Sequence, residues 1–252
     1  MKAEFRIFSF LMITPLIVLN IGLGKLDRSD LMECLRYPSE RSSQVSTVYT
    51  DTSYSSLKLE IGRLKSSLNR QSLLEDSISN LFTHLLADKI IPHWLGTPWS
   101  FEGHTSIPGE GEIACGYFVS TTLKDVGFNL NRYTFAQHLP IHEAKTLALG
   151  KPLLEINSNS TNERIAILSD TLKEGIYFIG FDQSHVGYIQ KKNGELFVIH
   201  SNYIGAEGVV IERIEDSKVF SFYTRIYVAD ISRNAALMKK WVKGEVVQVV
   251  TE

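Results

Sequence analysis

Apolar residues recur at helical spacing in the first third of the chain. Between residues 57 and 86 they fall three or four positions apart, as in amphipathic helices, and the pattern breaks near residues 70–71. The stretch therefore predicts two helices. Serine, threonine and aspartate without clear periodicity precede it, so residues 25–56 are predicted to be a linker. We assign residues 57–92 to an N-terminal helical accessory region.

Helical patterns continue beyond a loop that is rich in Gly and Pro. That loop occupies residues 96–111, and residues 115–126 after it show helical character that ends at Gly127. Further helices are predicted over residues 132–149 and 165–172. The chain up to this point is therefore predicted to be mainly helical.

The hydrophobic period then changes to that of β-strands. β-Branched and aromatic residues form runs separated by turn residues, and Asn193-Gly194 is a strong hairpin signal. The predicted strands are residues 176–181, 185–190, 195–200, 208–213 and 219–228. A last helix is predicted near residues 231–242. Helices first and an antiparallel sheet afterwards indicate an α+β fold.

Composition narrows the class of protein. A chain of 252 residues with 44% hydrophobic and 21% charged side chains buries a substantial core. The formal net charge is -2 and no long run of Lys and Arg is present, so no nucleic-acid partner is expected. The two cysteines, Cys34 and Cys115, are too few for a disulfide framework, and both are expected to be unpaired.

The N-terminus has the character of a targeting signal. Lys2 and Arg6 precede an apolar run over residues 7–19, which Pro15 interrupts. The run is short for a membrane span, which favours a cleaved secretory signal, although an uncleaved anchor that tethers the protein to a membrane also fits. We therefore expect residues 1–24 to be a signal peptide or N-terminal anchor. The protein is expected to be exported: periplasmic, extracellular or anchored facing outward.

Cys115 opens a predicted helix, and histidines follow on later strands. A helix N-terminus offers unpaired N–H groups and a positive dipole end, which stabilise a thiolate and a developing oxyanion. His185 is the candidate base, because the pKa of imidazole suits proton transfer near neutral pH. His200 is the candidate for orienting His185, and Asn202 is the alternative third residue. Strand alternation places His200 and Asn202 on one face, so the sequence leaves both open.

These residues belong to segments that occur in a recognisable order. The segments are Gly96-Thr97-Pro98-Trp99, Ala114-Cys115-Gly116-Tyr117-Phe118-Val119, His185-Val186-Gly187-Tyr188-Ile189 and Ile199-His200. In this order they resemble the NlpC-type cell-wall peptidases, a papain-superfamily group that cleaves peptide stems of peptidoglycan. The resemblance covers residues 95–203, somewhat under half of the chain.

The resemblance implies a fold, a reaction and roles for individual residues. Cys115 would be the nucleophile, His185 the base and His200 the orienting residue. The fold would be papain-like, with the nucleophile helix packed on an antiparallel β-sheet, and residues 93–252 would form the peptidase domain. The bond cut would be an amide involving D-glutamate and a diamino acid in a peptidoglycan stem peptide.

The flanks of the cysteine depart from the pattern of that family. Ala114 and Gly116 stand where the family commonly has Asp and Ser, and Trp99 stands where it has Tyr. The indole N–H of Trp99 can still donate a hydrogen bond, but the ring cannot accept one. Trp99, Gly116 and Ser184 are the residues expected near the substrate or the oxyanion. The departures indicate a divergent branch.

Two other functions fit the same residues. Cys115, His185 and His200 are a familiar ligand set for zinc, but they lack the close ligand pair that metal sites usually have. A catalytically degenerate domain that binds cell-wall peptides is the other alternative, because the flanking Asp and Ser are missing. The main hypothesis is a secreted cysteine peptidase or amidase that acts on peptidoglycan or another peptide without metal or cofactor. The helices of residues 57–86 are expected to pack on this domain and to shape its groove.

Overall fold

Residues 53–68, 75–182 and 184–251 are described in the computed structural model of the chain. The predicted signal or anchor, residues 1–24, lies outside these described residues, as do Cys34 and almost all of the predicted linker. Cys115 is a free cysteine, as expected. Within the described part of the chain, no helix combines the length and apolarity needed to cross a membrane.

An antiparallel sheet of six strands forms the centre of the fold. The strands are β1 (Leu154–Asn157), β2 (Gly175–Phe181), β3 (His185–Lys192), β4 (Glu195–Asn202), β5 (Gly208–Arg213) and β6 (Arg225–Asp230). Their order across the sheet is β1-β6-β2-β3-β4-β5, and all neighbouring pairs are antiparallel. The predicted hairpin turn joins β3 to β4, and both Asn193 and Gly194 have positive φ there.

Helices precede, interrupt and follow this sheet. They are α1 (Tyr54–Leu68), α2 (Glu75–Thr83), α3 (Ile91–Trp94), α4 (Cys115–Asp125), α5 (Arg132–Ala136), α6 (Pro140–Ala148), α7 (Thr161–Thr171), α8 (Lys218–Phe222) and α9 (Ala235–Lys243). A π-helical segment, His84–Ile90, joins α2 to α3. Separate helices around an antiparallel sheet confirm the predicted α+β class.

Both faces of the sheet are covered, because side chains alternate between them. On β3, Val186 and Tyr188 enter one core cluster and Ile189 enters the other. The first cluster also contains Phe118 and Val119 of α4, together with buried residues of α1, α2 and α9. Helices α7 and α8 contribute to the second cluster. The helices before residue 95 therefore bury their apolar faces in the same core as α4.

A buried tyrosine fixes helix α4 to strand β3. The Tyr188 hydroxyl lies 2.7 Å from Thr122 Oγ1 and donates a hydrogen bond to the Val119 carbonyl oxygen at 3.0 Å. Such partners satisfy a hydroxyl that has been removed from water. They hold α4 alongside β3, so that Cys115 and His185, the first residues of these two elements, come to the same end of the sheet.

The prediction of a single strand over residues 219–228 is wrong. Helix α8 occupies the first part of this segment, and only Arg225–Asp230 form a strand. The Ser217 hydroxyl caps α8 by accepting a hydrogen bond from the Phe220 amide, and the apolar side chains of the helix are buried in the second core cluster. A short apolar run suits a buried helical turn as well as a strand, so its periodicity does not distinguish the two.

Several other boundaries differ from the predicted ones. Helix α1 begins at Tyr54, inside the predicted linker. The helical stretch predicted over residues 132–149 is two helices, because Pro140 begins a new one. Ser160 caps α7 earlier, and Asn234 caps α9 later, than predicted. The edge strand β1 was not predicted, since four residues are too few to carry a clear strand pattern.

Candidate active site

The loop that leads into α4 is tied to the edge of the sheet. The Gly96 amide donates to the Val209 carbonyl oxygen and the Val209 amide donates to the Thr97 carbonyl oxygen, both at 2.9 Å. Gly208 has a φ of 77°, and a Cβ at this position would overlap the Thr97 carbonyl oxygen. Only glycine accommodates both the positive φ and the close approach of the two backbones. Strand β5 thus positions the loop that carries Trp99.

Cys115 is the first residue of α4. Ala114 precedes it in extended conformation and makes no side-chain capping bond, so the first N–H groups of the helix remain available. Burial raises the pKa of the Cys115 thiol to about 11; the Val186 and Gly116 amides act in the opposite direction, whereas the charge of Glu143 adds to the rise. The thiol without a ligand is therefore protonated at neutral pH.

His185, His200 and Glu212 are joined in series by hydrogen bonds. His185 Nε2 lies 2.8 Å from His200 Nδ1, and His200 Nε2 lies 3.0 Å from Glu212 Oε1. Both imidazole rings are buried and nearly perpendicular, with centroids 5.0 Å apart. We call these three residues the histidine relay. Because Nε2 of His185 is engaged, Nδ1 is the ring nitrogen left to meet a reacting group.

Burial and hydrogen bonding set the charges of the relay. The pKa of His185 lies well below its ordinary value of 6.5, chiefly because the ring is buried and also because of His200. Burial alone would raise the pKa of Glu212, but hydrogen bonds from His200 and Ser217 outweigh it and hold that pKa below 4.5. At neutral pH His185 is therefore an uncharged proton acceptor, and Glu212 is a carboxylate that orients His200.

Gly187 makes room for the histidine relay. A Cβ at Gly187 would lie 2.7 Å from the Ile199 carbonyl oxygen and 2.8 Å from His200 Cβ, closer than real Cβ contacts. Gly187 shares a strand face with His185, two residues away. The missing side chain therefore lets His200 cross β3 and reach His185.

Asn202, the alternative third residue, is engaged elsewhere. Its side-chain amide donates to Glu207 Oε2 at 2.9 Å, and its Oδ1 accepts the Ile204 amide at 2.9 Å. These bonds commit Asn202 to the turn after β4. The structure therefore brings His200, and not Asn202, into contact with His185.

A cluster of hydroxyl groups lies beside His185. Ser184 Oγ is 2.8 Å from the Tyr223 hydroxyl, which is 3.2 Å from the Tyr203 hydroxyl. The Tyr203 ring packs against both Trp99 and His185, with centroid distances of 6.0 and 5.3 Å. Sequence analysis gave Tyr203 and Tyr223 no role, because they follow the ends of separate elements and belong to no motif.

A cavity of about 610 Å³ brings these groups together. Cys115, His185 and all three residues expected near the substrate, Trp99, Gly116 and Ser184, line it. The aromatic side chains of the lining are Trp99, Phe101, Tyr117, Tyr203 and Tyr223. Within the described part of the chain, helices α1 to α3 contribute no lining residue, so they support the core without shaping this cavity. The volume suits a small ligand or part of a peptide.

The thiol and the relay meet across this cavity without a direct bond. Among the hydrogen bonds of the described residues, none joins the Cys115 thiol to the His185 ring, although both groups line the cavity. Catalytic hydrogen bonds in unliganded sites are often long and tighten when the substrate binds. If this site is catalytic, the Cys115 thiol must therefore come within hydrogen-bond distance of His185 and transfer its proton when a substrate binds.

Glu143 is a cavity residue that sequence analysis missed. It lies in α6 among the buried residues Pro140, Ala144 and Leu147, so an acidic residue at an apolar-stripe position was the available signal. Only 1% of Glu143 is exposed, and burial raises the pKa of its carboxyl well above 4.5. Its Oε2 has no hydrogen-bond partner among the described residues.

The described residues do not assemble a metal-binding cluster. Across residues 53–68, 75–182 and 184–251, no group of three or more His, Cys, Asp or Glu side chains is arranged to hold a metal ion. The two histidines of the hypothetical zinc set instead direct Nε2 and Nδ1 at each other.

In comparisons with family models, curated proteins and solved structures, the chain matches none.

Proposed function

We propose that this protein is a cysteine peptidase or amidase in which Cys115 is the nucleophile and His185 the base. The observation that carries the proposal is the histidine relay, which ends at the cavity that Cys115 also lines. A buried imidazole that is held by a second imidazole and a carboxylate has a defined orientation and tautomer. These are the properties that a general base needs beside a thiol.

The reaction begins with proton transfer from the Cys115 thiol to Nδ1 of His185. The sulfur attacks the carbonyl carbon of the amide, and backbone N–H groups at the start of α4 stabilise the oxyanion that forms. His185 then gives the proton to the leaving amine, and the C–N bond breaks to leave a thioester on Cys115. Water, activated by His185, hydrolyses the thioester and restores the thiol.

The neutral resting states of Cys115 and His185 determine when the thiolate forms. The pKa of the thiol is raised to about 11 and that of His185 lies well below 6.5, so the resting site does not contain a thiolate and an imidazolium. Proton transfer would therefore accompany nucleophilic attack. Substrate that closes the cavity and brings the thiol to Nδ1 would promote this step.

The resemblance to NlpC-type peptidases supplies the proposed setting and substrate. It supports a papain-like arrangement within residues 93–252, whereas the spacing of apolar residues supports residues 57–92 as a helical accessory region. The apolar run near the N-terminus supports export through residues 1–24, as a signal peptide or anchor. The resemblance supports a substrate in the stem peptides of peptidoglycan. The amide bond proposed to be cut involves D-glutamate and a diamino acid.

A domain that binds cell-wall peptides without cleaving them is the second candidate. Two observations favour it: the raised pKa of Cys115 and the lack of a thiol-to-imidazole hydrogen bond within the described residues. A protonated thiol is a poor nucleophile. In this case the cavity would hold a peptide, and the relay would be structural.

Mass spectrometry of peptidoglycan stem peptides distinguishes the two candidates. The peptides are incubated with the mature protein, with Cys115→Ala and with His185→Ala. New cleavage products from the wild type that are absent with both variants support the peptidase. Retention of the peptides on immobilised protein without products, in all three samples, supports the binding domain.

A further inference from the structure

Glu143 is a buried carboxyl inside the cavity that the proposed reaction does not use. It lines the cavity together with Cys115, and its charge affects the pKa of the Cys115 thiol. Its Oε2 has no partner among the described residues, although the side chain is only 1% exposed. A buried polar group without a partner costs free energy. Such a group inside a ligand-sized cavity is explained if a ligand provides the missing partner.

The cavity lining indicates the charge of that ligand. Besides Cys115 and the tyrosines, its ionisable groups are the carboxyls of Glu102 and Glu143 and the imidazoles of His138 and His185; it contains no Lys or Arg. Five of its side chains are aromatic, and the faces of aromatic rings attract cations. The Arg132 guanidinium already lies over the Tyr117 ring, which leaves the other four rings for a ligand. A cationic group therefore fits this lining better than an anionic one.

The position of Glu143 in its helix also permits it to ionise when a cation arrives. Glu143 lies in the first turn of α6, where the helix dipole favours a carboxylate. Burial raises the pKa of the carboxyl, so its ionised form is unfavourable until a compensating charge enters the cavity. An ammonium group would provide that charge together with hydrogen-bond donors.

We infer that Glu143 is a specificity residue that accepts an ammonium group of the ligand, because its unpartnered carboxyl lies in the aromatic, Lys- and Arg-free cavity of Cys115. The inference rests on the proposed function, in which the substrate occupies this cavity. It assigns the substrate class: peptides that present a free amine near the bond attacked by Cys115.

Charge-selective modification of Cys115 tests the inference without requiring hydrolysis. The probes are 2-aminoethyl methanethiosulfonate, a cation, and 2-sulfonatoethyl methanethiosulfonate, an anion. Both transfer their thioalkyl group to the same thiolate and release methanesulfinate, so the ratio of their rates cancels the thiolate fraction. Every protein carries Cys34→Ser, which leaves Cys115 as the reactive thiol. The ratio of cationic to anionic rate is measured for the otherwise wild-type protein, Glu143→Gln, Glu143→Leu and Glu102→Gln.

The expected ratio favours the cationic probe and falls about tenfold in Glu143→Gln and Glu143→Leu. Glu102→Gln, which removes the exposed carboxylate of the same lining, should change it by less than about twofold. If Glu143→Gln does not fold, the rate ratio of Glu143→Leu provides the same test. A wild-type ratio in the Glu143 variants, or an equal fall in Glu102→Gln, overturns the inference. Either result stands independently of peptide hydrolysis, so failure of the inference and failure of the peptidase proposal remain distinguishable.

Discussion

His185, His200 and Glu212 form a chain of partnered buried groups, whereas Glu143 in the same cavity presents a buried oxygen with no partner among the described residues. Partnered polar groups hold a fixed geometry, because breaking any one bond leaves another group unsatisfied. An unpartnered group is satisfied only when something else arrives. In the proposed function, the relay therefore holds His185 in place as the base, and Glu143 is left to pair with the ligand.

Replacing the central residue of the relay is expected to have the largest effect. In His200→Ala, His185 loses its orienting partner, so kcat should fall about 100-fold with little change in KM. Asn202→Ala is the matched control, because Asn202 bonds Glu207 and the Ile204 amide instead. Steady-state kinetics on a cleaved stem peptide measures both.

Equal losses of kcat in His200→Ala and Asn202→Ala would contradict this account of the relay. Melting temperatures of the two variants accompany the kinetics, so that a loss of folded protein is not mistaken for a loss of orientation. A rise in KM alone in His200→Ala would also contradict it, because orientation of the base acts in the transition state.

Adding a methyl group opposite His200 should disturb the same relay. In Gly187→Ala the new Cβ would meet the Ile199 carbonyl oxygen and His200 Cβ, so the free energy of unfolding should fall by about 1 to 3 kcal/mol. kcat should fall at least about tenfold, because His200 must move from His185. Chemical denaturation and steady-state kinetics measure the two effects.

The same substitution at Gly62 is the control for Gly187→Ala. Gly62 lies on the exposed side of α1, and a Cβ there would meet nothing within 4 Å. Gly62→Ala should therefore raise the free energy of unfolding by about 0.5 to 1 kcal/mol and leave kcat unchanged. If both variants shift the free energy of unfolding in the same direction, the claim that Gly187 is needed to avoid a steric clash is contradicted.

Removing the unpartnered carboxyl should stabilise the protein. Glu143→Leu is expected to raise the free energy of unfolding by about 1 to 3 kcal/mol at neutral pH, because Leu removes a buried polar group that lacks a partner. The raised pKa means that the native protein binds the Glu143 proton more tightly than the unfolded chain does. The related stability is present below the ordinary pKa of 4.5 and is lost as the pH rises through the folded value.

The gain from Glu143→Leu should therefore shrink as the pH falls from the raised folded pKa towards 4.5, and it should be smallest and constant below 4.5. Thermal unfolding at several pH values measures it. Glu110→Leu is the control, because Glu110 is an exposed carboxylate outside the cavity lining. Destabilisation of Glu143→Leu at neutral pH would show that the carboxyl has a partner within the protein.

Replacing Glu212, the residue of the relay farthest from the cavity, should have the smallest effect on kcat. Glu212→Gln keeps a hydrogen-bond acceptor for His200 but removes the charge, so kcat should fall only about two- to fivefold. Glu195→Gln is the matched control, since it removes a carboxylate that pairs with exposed Arg213 at 2.7 Å. A larger loss of kcat for Glu195→Gln than for Glu212→Gln would contradict a role for the Glu212 charge in the relay.

Much of the fold and part of the site follow from local patterns in the sequence. Continuous apolar runs predicted most of the strands, and the Cys115 helix begins at the predicted residue. The Asn193-Gly194 turn was predictable because its backbone conformation requires such residues. These features depend on neighbours in the chain, so a linear pattern contains them.

The rest depends on contacts between distant segments. Glu212 reaches His200 only because β5 pairs with β4. The sequence alone does not show which strand β5 pairs with, so it does not show which residue Glu212 contacts. The choice of His200 over Asn202 likewise depends on the turn that engages Asn202. Helix α8 was mistaken for a strand because its few apolar residues fit either period.

The central claim is that the histidine relay acts on the Cys115 thiol, and its most direct test is the rate of Cys115 alkylation by iodoacetamide. The rate is measured from acid to alkaline pH in the wild type and in His185→Ala, with peptide mapping to separate Cys115 from Cys34. At neutral pH the wild type should react at least about tenfold faster, because His185 accepts the thiol proton as the sulfur attacks the reagent. The two rates should converge as the pH approaches the thiol pKa of about 11. Identical rates at every pH would contradict the claim.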